Sequence, residues 1–200
     1  MAQAGFALEL SARWQRLAST WGAAPEVVDA VYRDVITRYG EPHRRYHTLE
    51  HIAEVLEVVD ELDGGVEVEW AAWLHDVIYD VRTVDSEARS AGYAGDVLAQ
   101  LRAPDDTIIE VQRLVELSAT HSVVGGDKHG AVFVEADLAI LSSSPDRYDR
   151  YVRDVRAEYA HLDDDAWRTG RRAVLESLLP RATDERARSN LTRELATLTS

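Results

Sequence analysis

Apolar residues recur at intervals of three and four along almost the whole chain, while strict alternation is confined to short, isolated runs. That periodicity predicts helices throughout and an all-α class. A first helix is expected over about residues 5–20. A second starts at Pro25, a favourable first helical position. It carries Val28, Val31, Tyr32, Val35 and Ile36 at helical spacing and stops at Gly40 and Pro42. Thr48 can cap a third helix bearing Ile52, Val55, Leu56 and Val59, which Asp63-Gly64-Gly65 ends. The stretch Val66–Ile78 is apolar on all sides, with Trp70, Trp73 and Leu74, so whatever it carries is expected deep in the fold.

Asp85 or Ser86 can cap a fifth helix, and Pro104 opens a sixth that runs to about Ala119. The segment HSVVGGDKHG, residues 121–130, is the least regular in the chain and reads as a pocket-lining loop. Ala131–Leu141 returns to an apolar helical pattern interrupted by Glu135 and Asp137. Ser144-Pro145 starts the next helix, Pro180 ends the one after it, and a charged amphipathic helix follows. No repeat or linker breaks this order, so residues 1–200 are expected to form a single domain, a bundle of about nine or ten helices.

Composition narrows the partners. The chain holds 36 acidic and 22 basic residues, a net charge of −14, which repels a polyanion and argues against a nucleic acid polymer. A small phosphorylated ligand stays admissible if a local basic pocket or a divalent cation masks its charge. There is no cysteine, so neither a disulfide framework nor a zinc–cysteine cluster can form. The N-terminal MAQAGFALELSARW lacks a basic segment followed by a continuous apolar one, and no run approaches the roughly 18 apolar residues of a membrane span. A cytoplasmic location without membrane association is expected, and a homodimer is admissible.

Four features carry chemistry, because each sets polar groups into apolar helices, where burial without a partner costs several kcal/mol. They are YHTLEHI, with His47 and His51 four residues apart on one face; AAWLHDVIYD, with His75, Asp76 and Asp80; Asp137 within AVFVEADLAIL; and His121 at a helix end. Two neutral imidazoles and two carboxylates make a mixed nitrogen and oxygen donor set of charge near −2. Such a set suits one divalent ion, manganese, iron, zinc or magnesium, with coordination positions left open for water or substrate. Asp80, four residues after Asp76, would lie one turn along the same helical face and reach a water held there.

The order His, then His-Asp, then a distant Asp resembles the HD superfamily of metal-dependent phosphohydrolases. More narrowly, RRYHTLEHI, WLHDVIYD and EADLAIL are similar to the motifs of its small bacterial members, and YDRYVRDVRAEY, TGRRAVLESLL and ARSNLTREL fit later parts of that pattern. The resemblance runs from about Val27 to Leu195. It implies metal ligation by His51, His75, Asp76 and Asp137, with manganese or magnesium favoured for activity. His51 is preferred over His47 because an aliphatic residue, Val55, follows it by four positions. The Tyr-His-x-x-x-His order also resembles cyclic nucleotide phosphodiesterases, in which the first histidine donates a proton; this makes His47 the general acid.

In alarmone hydrolases of the superfamily a Glu-Asp pair follows the dyad. Here it is Tyr79-Asp80, which argues against alarmone hydrolysis and leaves Asp80 as base or orienting residue. Arg44, Arg45, Lys128 and Arg171 are the cations expected to meet substrate phosphate, and His121 is expected in the substrate pocket. The implied function is hydrolysis of a phosphoester or phosphoanhydride in a small molecule, a nucleotide above all, with triphosphate pyrophosphohydrolysis preferred by analogy. The alternatives are a non-catalytic, metal-dependent nucleotide sensor and a purely structural bundle. His43, His129 and His161 read as surface histidines, and Tyr148, Tyr151 and Tyr159 as packing.

Overall fold

The computed structural model describes residues 2–198, with side chains from Gly5 onward. All regular structure among these residues is helical, in ten α-helices and two short 3-10 turns, as the periodicity predicts. No helix among them is long and apolar enough to cross a membrane. Chain contacts separate into two compact units, one comprising the residues up to Pro42 with His47–Asp137, the other His43–Tyr46 with the residues from Leu138 onward.

The first unit holds α1 (Ala2–Ala18), α2 (Pro25–Tyr39), α3 (Leu49–Glu61), α4 (Gly65–Leu74), α5 (Ser86–Gln100), α6 (Asp105–Leu117) and α7 (Lys128–Asp137). Its centre is α4. Trp70, Ala71, Ala72, Trp73 and Leu74 have no solvent exposure, and α3, α5, α6 and α7 all pack against the helix. Trp14 of α1 meets Trp70 and Trp73 edge-on, with ring centres 5.0 and 5.2 Å apart, geometry that aromatic pairs favour. The chain enters α4 through Gly65 at φ +79°, a backbone conformation that a side chain would strain.

The fourth helix ends at Leu74, four residues before the position that its apolar pattern suggested. One long-range and one local side-chain hydrogen bond occupy carbonyls of the last turn. The Tyr39 hydroxyl donates to the Trp73 carbonyl at 2.9 Å, and His75 Nδ1 lies 3.1 Å from the Ala72 carbonyl, which can only accept. Both carbonyls would otherwise need helical partners further along. Ser90 of α5 then receives the Ile78 N–H at 3.0 Å and donates to the Ile78 carbonyl at 3.1 Å. His75 and Asp76 consequently stand at the end of a buried helix, not within it.

The seventh helix begins three residues earlier than expected, because Asp127 caps it. Asp127 Oδ1 accepts the Gly130 N–H at 2.8 Å, and Arg113 of α6 holds both carboxylate oxygens at 2.7 and 3.1 Å. The irregular loop is thus 121–127. Beyond Asp137 the expected continuous helix gives way to a 3-10 turn, Leu138–Ser142, as the chain passes into the second unit.

The second unit contains α8 (Pro145–Glu158), α9 (Asp164–Leu178) and α10 (Glu185–Leu198). Ser144 caps α8 and Asp163 caps α9. Tyr148, Tyr151, Leu175 and Leu191 form its core, so the tyrosine stripe is packing. Arg171 departs from expectation. Its guanidinium is buried and donates to both Glu194 oxygens at 2.7 and 3.1 Å, beneath the rings of Tyr151 and Trp167. It is a cation already matched inside the unit and is not offered to a phosphate.

Candidate metal centre

Three helices bring the centre together in the first unit. Thr48 caps α3 by accepting the Glu50 N–H, which fixes the first turn that carries His51. The end of α4 supplies His75 and Asp76, and Asp137 is the last residue of α7. His51 and His75 are almost wholly buried, at 3% and 1% exposure, and the Asp137 side chain retains only 12%. Phe133 packs edge-on against His75 and keeps that side apolar.

The donor atoms converge. His51 Nε2 and His75 Nε2 are 3.2 Å apart, and each is 3.4 Å from Asp137 Oδ1. Asp76 Oδ2 lies 3.2 Å from His75 Nε2 and 3.7 Å from His51 Nε2. Donors bound to a common cation at about 2.1 Å stand roughly 3.0 Å apart across a right angle and roughly 3.4 Å across a tetrahedral one. The separations among His51, His75 and Asp137 match the edges of one coordination polyhedron, while Asp76 lies beside them, 3.2 Å from His75 and 3.7 Å from His51. His51, His75 and Asp137 are therefore a group that could hold a metal ion.

The electrostatics agree. Burial by itself lowers the affinity of His75 for a proton, yet the charges of Asp76 and Asp137 outweigh it and raise its pKa well above the ordinary imidazole value. Burial would likewise raise Asp137, but His75 and the hydrogen bonds of His121, His51 and His75 hold its pKa well below the usual carboxylate range. Asp76 is lowered too, against its burial, chiefly by His75 and His47. The pocket favours positive charge where the donors meet. His75 Nδ1 donates to Ala72, which leaves Nε2 of the neutral ring as the lone pair facing that point.

The other expected residues fall in different places. His47 is beside the cluster, Nε2 4.0 Å from Asp76 Oδ2, and its ring stacks on Tyr79 with centres 4.2 Å apart. Asp80 is exposed. Because α4 has already ended, the shared helical face that linked it to Asp76 does not exist; its Oδ1 accepts the Arg82 N–H at 3.0 Å and its backbone is tied to Thr83 and Ser86. Lys128 is exposed at the start of α7. Arg44 and Arg45 belong to the second unit, where Arg44 is buried, and Glu158 accepts the Arg45 and Tyr46 N–H groups at 2.7 and 2.8 Å. His121 reaches Asp137, Nε2 to Oδ2 at 2.9 Å.

The sequence reading noted Ser90 only beside Glu87, as a pair similar to one in the resembling family, and overlooked Tyr39; neither was expected to bond the backbone at and just after the end of α4. A serine or tyrosine on an apolar helix face gives no hint of which distant backbone group it will meet. Comparison with family models, curated proteins and solved structures returned no match, so the functional reading rests on the site itself.

Proposed function

We propose that the chain is a metal-dependent phosphohydrolase acting on a small phosphorylated molecule, with a nucleotide as the favoured class. The observation that carries the proposal is the convergence of His51, His75 and Asp137 donor atoms within 3.4 Å of one another in a buried pocket. The donor chemistry fits a divalent cation: two imidazole nitrogens and a carboxylate converge where the field favours positive charge, with Asp76 beside them as the fourth group. A cation held there supplies a Lewis acid that neutralises phosphate charge and acidifies water at neutral pH, with manganese or magnesium the favoured activators.

The chain's own residues do the rest. Masking of phosphate charge matters in a protein of net charge −14, which otherwise repels such a substrate. His47 is the proton donor to the leaving oxygen. Its side chain keeps 20% exposure next to the buried donors, and stacking on Tyr79 fixes the plane of its ring. Asp76 lies between His47 and the metal ligands, 4.0 Å from the His47 imidazole and 3.2 Å from that of His75.

The test is a release assay for orthophosphate and pyrophosphate over nucleotides and simple phosphoesters, with added manganese or magnesium and with chelator. Turnover that requires the cation, is lost in Asp76→Ala, and falls in His47→Gln without loss of bound metal supports the reading. Full activity in chelator overturns it. Cation-dependent nucleotide binding with no turnover of any substrate would make the protein a sensor.

A further inference from the structure

We infer that His121 is a positioning residue for the metal centre, orienting Asp137 through its second carboxylate oxygen; this rests on the metal-centre reading above. The two oxygens of Asp137 have separate tasks. Oδ1 faces the two ligand imidazoles at 3.4 Å each, while Oδ2 accepts from His121 Nε2 at 2.9 Å. A carboxylate can only accept, so Nε2 carries the proton in this contact. A ligand carboxylate fixed in this way has its plane set before a cation arrives. Loss of such supporting hydrogen bonds generally weakens metal affinity about 10- to 100-fold.

The backbone supports the same conclusion independently. His121 sits at φ +50°, and its N–H donates to the Leu117 carbonyl at 2.8 Å, which closes the C-terminus of α6. This left-handed cap position is one that glycine fills without strain, whereas a side chain costs roughly 1 kcal/mol or more there. A histidine at such a position departs from local preference, and its imidazole meets the last residue of α7. The far end of the same loop is pinned too, since Arg113 of α6 grips Asp127 through both oxygens. Rigid support at both ends is what a residue that orients a ligand requires.

The experiment measures metal affinity, by chelator competition with manganese and zinc, and the visible spectrum of the cobalt(II)-loaded protein. The proteins are wild type, His121→Ala, His121→Gly and His121→Gln, each with metal-free thermal melts. His121→Ala and His121→Gly are expected to lose about 10- to 100-fold in affinity and to shift the cobalt bands. His121→Gly should melt metal-free at or above the wild-type temperature, because it relieves the left-handed backbone; its affinity loss then cannot be blamed on misfolding. His121→Gln, whose amide can donate to Asp137, should recover most of the affinity. Wild-type affinity and spectrum in the Ala and Gly variants would overturn the inference. So would a drop in metal stoichiometry, which would make His121 a direct ligand. Failure of the wild type to bind any divalent ion would instead sink the metal-centre reading beneath it.

Discussion

Charge is buried in both units of this protein, and the two burials are of opposite kinds. In the second unit Arg171 and Glu194 pair through two hydrogen bonds, Tyr148 donates to Glu194 at 2.6 Å, and aromatic rings cover the guanidinium. Every charge there has its counter-charge, so the cluster is closed. In the first unit the groups that hold the carboxylates down are histidines, His75, His47 and His51 for Asp76 and His75, His121 and His51 for Asp137. The counter-charge there is a titratable proton, which a metal cation can replace. Buried charge that a fixed partner neutralises is architecture, and buried charge whose proton an outside cation can replace marks a site.

The contrast breaks most visibly in stability. Glu194→Ala strands a buried guanidinium and should cost about 3–5 kcal/mol in chemical denaturation, while replacing Arg171 and Glu194 together with methionine should cost less than either single loss. Ser90→Ala leaves the Ile78 N–H and carbonyl without their partner and should cost about 1–3 kcal/mol, with faster amide exchange at residues 75–80. Asp137→Asn should disturb the metal-free fold less than Glu194→Ala does, costing about 1–2 kcal/mol, because the amide oxygen can still accept from His121, while tight metal binding is abolished; a loss as large as that of Glu194→Ala would erase the distinction.

The smallest effect concerns pH. Arg113 donates to Glu110 and Asp127 and holds both carboxyl groups below their ordinary values. A depressed carboxylate contributes stability above its unfolded pKa, near 4, and the contribution is lost as pH falls through the folded one. The difference in melting temperature between wild type and Arg113→Ala should therefore be full at about pH 6 and shrink below about pH 4. A gap that is independent of pH would show that the network does not act through charge.

The helix order was legible in the sequence because it depends on period and caps: Pro25, Thr48, Ser144 and the glycine at 65 act locally. The core of the centre was legible for a related reason. His51, His75 and Asp137 are polar groups on helices too apolar to bury them idly, and that conflict can be read without coordinates. What could not be read depends on distant partners. Tyr39 and Ser90 bond the backbone at and just after the end of α4, the start of α7 is set by Arg113 holding Asp127, and Arg171 is claimed by Glu194, 23 residues later. Asp80 was misplaced for the same reason, since its expected face vanished with the last turn of α4.

The most direct test of the central claim is the metal content of the purified chain after exposure to divalent ions and removal of the excess, compared with His75→Ala and Asp137→Asn. The account predicts about one equivalent per chain in the wild type and almost none in either variant, with all three proteins folded. A wild type that retains no divalent ion, or variants that retain as much as it does, would contradict it.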